Sequence, residues 1–514
     1  MKKVLACLLM LCGLLSEANA QWFTAEKLET YKDWPHYSVV KQFYEARGWQ
    51  PAWIGHDSLQ KELLTLLHES GLLALNEGDY QQEFMSGFYP ERLTLRRVDS
   101  TETELRFTDA ALHFFSELKV GNKSPSLGYN GLPSPNVFPS IASGLQVHLL
   151  PGGLYRLADD LQPHSAAYKN ALQLYNRLLQ TVRAKGFDEA KIVSSKTDST
   201  NKVLLRKLYL LGFTDTVENS ITKNELQKRI KEAQTVFDLL SDGILRSTTL
   251  SALNIPLSQR MEELKAAVNL FRWTEVMKDA TPVLFVNIPS ANFFLYDGEK
   301  LLLESRVIAG KPSTHTPTLA STINEVILYP YWNVPNKIAT RELLPGIKKN
   351  IRFLELGNFQ VLDKKGRVLN PYHINWRSLN ANNFPYVIRQ STGCDNALGF
   401  VKFNFSNPFT VYLHDTPGKI LFSSSRRFYS HGCMRVEKPE DLAHYLLGSN
   451  RIAIDTLTVK GCINQQVPVV VKAEKPLPVV VLYSTVWHTA EGSIRFYNDV
   501  YNKLNFIKAA AYNP

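Results

Sequence analysis

The chain is poor in cysteine and lacks long apolar stretches. Only 5 of its 514 residues are cysteine, far fewer than in a disulfide-stapled scaffold. After the N-terminal region, no stretch is apolar over the roughly 20 residues that a transmembrane helix needs. Charged residues make up 21% and hydrophobic residues 44% of the chain, with 27 glycines and 26 prolines. These values exclude a disordered chain, a collagen and a coiled coil. The length predicts about three folded units.

Residues 1–20 have the pattern of an export signal. Lys2 and Lys3 precede an apolar run from Val4 to Leu15, and Ala18-Asn19-Ala20 is a small-x-small cleavage site. The sequence therefore predicts cleavage near Ala20. It predicts an exported protein of the periplasm or cell envelope, with at most peripheral contact with the membrane.

The charge of the chain is clearly basic. The formal net charge is +10 at pH 7, and loss of the predicted leader leaves it basic. An exported basic protein is expected to meet anionic envelope polymers or lipid headgroups. A diffuse basic surface without a partner is the alternative, and the compartment argues against nucleic acid.

The few cysteines are unevenly placed. Cys7 and Cys12 lie in the predicted leader, where a lipoprotein is the alternative to a secreted soluble protein. Cys394, Cys433 and Cys462 remain, an odd number, so at least one thiol stays free. A free thiol in an oxidising compartment is a candidate nucleophile. Whether Cys394 pairs with Cys462 stays open.

The periodicity of apolar residues changes along the chain. Residues 21–190 show helical stripes and predict a helical scaffold domain, residues 191–255 a smaller helical unit, and residues 256–278 a connecting helix. From residue 279 to 514, short apolar runs and an Asp-Gly hairpin signal predict a mainly-β domain. A polar insertion at about 338–390 interrupts this domain and is expected to cap a site. The predicted fold class is multidomain α+β.

The residues with chemical potential cluster between Tyr412 and Arg435. A strand over Phe409–His414 would turn the His414 imidazole away from the core. The run Ser430-His431-Gly432-Cys433 places a flexible glycine immediately before a thiol. A helix signal begins at Pro439, so Cys433 is expected just before a helix, whose N-terminus would lower the thiol pKa. A Cys/His nucleophilic site is predicted.

Two other interpretations use the same residues. Zinc could take His414, His431 and Cys433 as ligands, but no fourth ligand has a recognisable spacing. The other interpretation assigns no chemistry to these residues. In that case Cys433 is a buried, unreactive thiol and the two histidines are ordinary surface residues. We expect no metal and no organic cofactor.

The run His414-x15-Ser430-His431-Gly432-Cys433-x-Arg435 resembles the signature of L,D-transpeptidases with a YkuD-type catalytic domain. Further stretches are similar to the large YcbB-like branch, and these are Gly310-Lys311-Pro312, Thr316-Pro317, Pro330 to Pro335, Asn396 to Gly399 with Lys402-Phe403, and Tyr412 to Pro417. The order of parts is similar as well, since a degenerate pattern from Ala233 to Leu253 resembles a peptidoglycan-binding module.

The resemblance implies acyl transfer on peptidoglycan stem peptides. Cys433 would be the nucleophile and His414 the general base, with Ser430, His431 and Gly432 supporting the oxyanion. Tyr412 would bind substrate, and Arg435 would either bind a stem carboxylate or brace the loop. The product would be a 3-to-3 cross-link, which would give the protein a role in cell wall biogenesis and cell shape. Carbapenems would acylate the thiol. Other wall-synthesis enzymes are expected as partners. The alternatives are a carboxypeptidase or endopeptidase with the same residues, and a non-catalytic wall-binding scaffold.

Overall fold

The computed structural model describes residues 25–34, 36–85, 100–185, 187–193, 201–214, 216, 220–280, 282–393, 395–451 and 467–504. The predicted export signal, Cys394 and Cys462 lie outside the described residues. No helix within these ranges is long and apolar enough to cross a membrane.

Helices dominate the first half of the chain. They are α1 Ala25–Glu29, α2 Tyr37–Ala46, α3 Asp57–His68, α4 Gln82–Met85, α5 Ser100–Val120, α6 Phe138–Val147, α7 Gly153–Leu161, α8 Ala166–Arg183, α9 Lys202–Leu210, α10 Lys223–Val236, α11 Ser247–Leu253 and α12 Leu257–Ala280. Four more occur later, α13 Asn336–Ile338, α14 Leu344–Lys349, α15 Arg352–Leu356 and α16 Pro439–Leu447, with a π-helical turn at Ala339–Leu343 and 3-10 turns at Ser70–Leu73, Glu77–Asp79, Pro371–His373, Trp376–Ser378, Lys419–Ser423 and Gly448–Arg451.

Strands occupy the second half almost exclusively. They are β1 Tyr129–Asn130, β2 Val283–Asn287, β3 Asn292–Asp297, β4 Lys300–Gly310, β5 Leu319–Leu328, β6 Trp332–Asn333, β7 Phe359–Leu362, β8 Val368–Leu369, β9 Val387–Gln390, β10 Val401–Phe405, β11 Leu413–His414, β12 Phe428–Ser430, β13 Met434–Val436, β14 Val469–Leu482, β15 Val486–His488 and β16 Ile494–Phe496.

The main sheet closes on itself. Its strand order is β5-β10-β11-β13-β4-β3-β2-β14, and β14 also pairs with β5. Strands β1 and β12 are added on β5 and β4. The hairpin predicted from the Asp-Gly signal joins β3 to β4. Because Asp297 pairs with Lys300, its two turn residues are Gly298, at φ +57°, and Glu299.

Both faces of this sheet are buried. In β2, Leu284 and Val286 face one core with α16, whereas Val283 and Phe285 face a second core shared with α8 and α12. Alternate residues of a strand point to opposite faces. The second core also takes in α9 to α11 and Trp487 of β15. The small helical unit therefore packs against the outside of the sheet, while its assignment as a peptidoglycan-binding module stays a prediction.

The polar insertion has its own sheet and core. Strands β6, β9, β7 and β8 pair in that order, and residues from Val334 to Ile388 form a separate apolar cluster. The unit begins at Trp332, earlier than the expected 338, because β6 pairs with β9.

The structure confirms the multidomain α+β class, with a helical N-terminal region followed by a mixed sheet. One local prediction is wrong. The expected strand over Phe409–His414 is reduced to Leu413–His414, because Thr410 adopts φ +54° and interrupts the extended backbone.

Candidate active site

Cys433 lies in the turn that joins β12 to β13. Strand β12 runs parallel to β4 and β13 runs antiparallel to it, so both ends of the turn rest on the same strand. Gly432 adopts φ +121°, a conformation that side chains with a Cβ rarely take. The glycine before the thiol is therefore required by the turn.

Hydroxyl groups from the segment after β4 hold this turn. Thr314 donates to the Ser430 carbonyl at 3.0 Å. Thr316 donates to the Gly432 carbonyl and accepts from the Gly310 amide, both at 2.9 Å. Because Thr316 is buried, loss of its hydroxyl would leave two buried backbone groups unpaired.

The turn also organises its own amides. The Ser430 hydroxyl accepts from the Gly432 amide at 3.1 Å and donates to the Cys433 carbonyl. The Gly432 N–H is therefore engaged. The neighbouring amides of His431 and Cys433 are the donors that could hold an oxyanion here.

The thiol lies in a partly dry and positively charged setting. Burial raises the pKa of Cys433, while hydrogen bonds from Tyr412 and the charges of Lys402 and Arg435 lower it, with a net rise. The expectation of a helix N-terminus next to the thiol is wrong. Strand β13 separates Cys433 from α16, which begins only at Pro439. The charges of the half-buried Lys402 and Arg435 favour the thiolate instead, without outweighing the effect of burial.

His414 is the last residue of β11 and is buried. Its Nδ1 lies 2.6 Å from the Asp415 carbonyl oxygen, which can only accept, so Nδ1 carries the proton and Nε2 holds the lone pair. Burial, then Arg435 and Lys402, lowers the pKa of His414 to about 3. The imidazole is therefore neutral at physiological pH.

The predicted exposure of His414 is wrong for a packing reason. Its side chain does point away from the core that takes Leu413. The adjacent strands, however, carry Lys402 and Arg435 beside it, and the Tyr412 ring lies 5.6 Å away. These long side chains cover the imidazole.

The remaining predicted residues occupy two different settings. Tyr412 contacts the thiol and accepts a hydrogen bond from Trp332 of the insertion, and burial raises its pKa. His431 is exposed, and its Nε2 lies within hydrogen-bond distance of Glu342 Oε1 of the insertion, at 2.7 Å. Arg435 is half-buried beside His414 and Cys433.

Several site residues were missed as individual candidates. Lys402 places its Nζ 4.1 Å from the centroid of the Tyr412 ring. Trp332 and Glu342 bring the insertion to the turn, and Tyr501 donates to the Gly310 carbonyl at 2.8 Å. The available signal for Lys402 is a lysine within the apolar alternation of Val401 to Phe405.

The described ranges contain no group of three His, Cys, Asp or Glu side chains that could hold a metal ion. In the proposed zinc set, His414 Nδ1 is engaged by a backbone carbonyl and His431 Nε2 by Glu342.

Comparison with known proteins identifies two regions. Residues 281–471 match the L,D-transpeptidase catalytic domain family, YkuD, and residues 38–173 match a scaffold domain family. A Haemophilus influenzae protein named "Putative L,D-transpeptidase" is 37% identical over 252 residues, which are 48% of this chain and 50% of that protein. The chain thus spans about half the length of this curated relative.

A solved L,D-transpeptidase from Mycobacterium smegmatis is 16% identical, with 39% of this chain and 58% of that chain covered and a TM-score of 0.19. That score supports no structural inference. The residues that match the catalytic-domain family include the Cys433 turn, His414, Lys402 and the insertion. Residues 281–471 are thus an L,D-transpeptidase catalytic domain of the YkuD family, preceded by a scaffold domain.

Proposed function

We propose that this protein is a peptidoglycan L,D-transpeptidase that forms 3-to-3 cross-links through a Cys433 thioester. The observation that carries the proposal is the pairing of β11 with β13, which brings a neutral imidazole with an open Nε2 beside the strand that follows the thiol. The match of this unit to the YkuD family supports the same chemistry.

In the first half-reaction, Cys433 Sγ attacks the carbonyl of the third stem residue, usually meso-diaminopimelate. The thiol proton passes to His414 Nε2, a transfer that contributes about 10² to 10⁴ in rate in such sites. The amides of His431 and Cys433 hold the oxyanion. The carbon–nitrogen bond then breaks, and His414 returns the proton to the departing amine of D-alanine.

In the second half-reaction, the side-chain amine of a neighbouring stem attacks the thioester. His414 takes a proton from this amine and returns it to the departing sulfur, which restores the thiol. Tyr412 contacts the thiol and positions it, and Arg435 binds substrate. Water in place of the amine would make the protein a carboxypeptidase.

The setting of this reaction is the cell envelope. We infer export through residues 1–20 and a periplasmic location, with peptidoglycan stem peptides as the substrate and other wall-synthesis enzymes as possible partners. The domain boundaries at 190, 255 and 278 and the glycan-binding role of residues 191–255 belong to the same proposal.

The test is mass spectrometry of the mature protein with disaccharide-tetrapeptides. Dimers, released D-alanine and a protein thioester are expected, and all are lost in Cys433→Ser. The matched control is Cys394→Ser/Cys462→Ser, which changes the other two cysteines outside the leader and is expected to keep the dimers.

Two results would contradict the proposal. Tripeptides without dimers, despite ample acceptor, would identify a hydrolase. The absence of product and adduct from the wild-type protein would favour a non-catalytic scaffold.

A further inference from the structure

Three titratable side chains form a row across the main sheet. Lys402 of β10 lies opposite His414 of β11, and His414 lies opposite Arg435 of β13. Neighbouring strands are about 4.8 Å apart, and directly paired residues share a face. The next row, Phe403, Leu413 and Met434, faces the apolar core. The row of Lys402, His414 and Arg435 therefore faces the opposite side, where the thiol lies.

The two cations of this row lack a carboxylate counter-charge. In the part of the chain that the structure describes, neither Lys402 nor Arg435 reaches a carboxylate within 4.0 Å. The Nε of Arg435 is buried and has no hydrogen-bond partner. Arg260, a buried cation of α12, is by contrast paired with Glu263 at 2.8 Å. A pair of half-buried cations without an anion is a site for one.

The other charged groups near His414 do not supply this anion. The Asp415 carboxylate pairs with Lys419 at 2.6 Å and accepts from the Phe400 amide. Burial lowers the pKa of Lys402, and the Cys433 thiolate, followed by Glu325 of β5, opposes this effect. The thiolate would act on both cations, but burial raises the pKa of the Cys433 thiol and so favours its neutral form in the free site. The phenol of Tyr412 is neutral because burial raises its pKa.

Between two cations, His414 is a poor base. Burial, Arg435 and Lys402 all oppose its protonated form. An anion bound to Lys402 and Arg435 would raise the pKa of His414, because an opposite charge nearby favours the cationic imidazole.

We propose that Lys402 and Arg435 together form a subsite for a carboxylate of the donor stem, and that this carboxylate must be bound before His414 accepts the thiol proton. The inference rests on the proposed function and extends it, since it makes Lys402 a specificity-determining residue. Three carboxylates of a tetrapeptide stem have the required chemistry, and these belong to the γ-linked D-glutamate, the diaminopimelate side chain and the terminal D-alanine.

The first experiment needs no peptidoglycan activity. Cys433 is alkylated with iodoacetate, which carries a carboxylate, and with iodoacetamide, which does not, and the two rates are measured by intact-protein mass spectrometry in Cys394→Ser/Cys462→Ser. The ratio of the iodoacetate rate to the iodoacetamide rate is expected to fall about 10-fold in Lys402→Met, as for loss of one charge-assisted hydrogen bond.

The controls separate this subsite from general charge. Lys402→Arg is expected to restore most of the ratio, and Lys300→Met, the same change at an exposed lysine, to leave it unchanged. Arg435→Met is a second variant, with a similar expected fall, should Lys402→Met fail to fold. An unchanged ratio in both charge-removing variants, or an equal fall in Lys300→Met, would overturn the subsite.

The second experiment identifies the carboxylate. Donor tetrapeptides amidated singly at D-alanine, at the diaminopimelate side chain or at D-glutamate are compared with the free acid by D-alanine release. We expect one of the three amides to lose about 10-fold or more in kcat/KM with wild type and much less with Lys402→Met. Equal rates for all four donors would overturn the proposal. A different result is also informative. If the ratio of the two alkylation rates falls in Lys402→Met and is restored in Lys402→Arg, but no donor releases D-alanine, the transpeptidase function is contradicted and the carboxylate subsite is kept.

Discussion

The scaffold domain and the catalytic domain differ in whether their charged side chains below the surface have hydrogen-bond or ion-pair partners. Glu104 of α5 is 2% exposed. Its carboxylate accepts from the amides of Ala52, Trp53 and Ile54 and from the Tyr44 hydroxyl. In the catalytic domain, the cations of Lys402 and Arg435 are half-buried and lack a carboxylate partner within the described ranges.

The difference separates structural from functional burial. A buried charge whose hydrogen-bonding capacity is used up internally stabilises one arrangement of the chain. A buried charge left open costs stability and is available to a ligand. Changes at Glu104 should therefore act on folding, whereas changes in the row of Lys402, His414 and Arg435 should act on chemistry.

The largest effect is expected for His414→Gln. Loss of the base should lower cross-linking by about 10² to 10⁴, measured as initial rates of dimer formation. His373→Gln, the same change at an exposed histidine of the insertion, is the control and should keep the rate. A loss of less than about 10-fold would assign the proton transfer to another group.

The same variant should change how stability depends on pH. The pKa of His414 is about 3 in the folded protein, against an ordinary 6.5. Between pH 6.5 and about 3, His414 binds a proton in the unfolded chain but not in the folded protein. Wild type therefore loses stability as the pH falls through this range. His414→Gln should lose less over this window, measured as Tm against pH. Parallel curves would mean that the imidazole is not held neutral.

The next effect is expected for Glu104→Leu in the scaffold domain. Removal of this acceptor leaves the amides of Ala52, Trp53 and Ile54 without their shared partner. This loss should lower the free energy of unfolding by about 3 to 5 kcal/mol. Urea denaturation measures it. The cross-linking rate per folded molecule should be unchanged. A comparable loss of rate would show that the scaffold domain acts on the chemistry.

A smaller effect is expected for Thr316→Val. The Gly310 amide and the Gly432 carbonyl lose their shared partner, which should cost about 1 to 3 kcal/mol of stability and loosen the Cys433 turn. Stability by denaturation and the alkylation rate of Cys433 should change together. Thr322→Val, at a less buried threonine of β5, is the matched control.

The smallest effect is expected for Glu342→Gln. The contact between Glu342 and His431 is exposed, and even a fully charged pair at such a site is worth only about 0 to 1 kcal/mol. We expect little change in Tm and a change in KM of a few-fold that disappears at high salt, measured by steady-state D-alanine release. A salt-independent change would show that this contact is more than an exposed ion pair.

Local patterns predicted much of this molecule. Helical stripes, the Asp297-Gly298 hairpin turn and the need for Gly432 next to Cys433 all follow from the preferences of a few consecutive residues. The surroundings of the site residues could not be predicted from these local patterns. The burial of His414, the strand between Cys433 and its expected helix and the role of Lys402 depend on the strands and side chains that pack beside them.

The identities of the reactive side chains and the turn that presents the thiol follow from local sequence, since they depend on neighbours along the chain. The packing of distant segments, by contrast, places Lys402, His414 and Arg435 in one row and brings Trp332 of the insertion to Tyr412 and Glu342 to the turn. The reason is physical, because strand order and register are set by the closing of the sheet and by the burial of alternate residues in a core shared by distant segments.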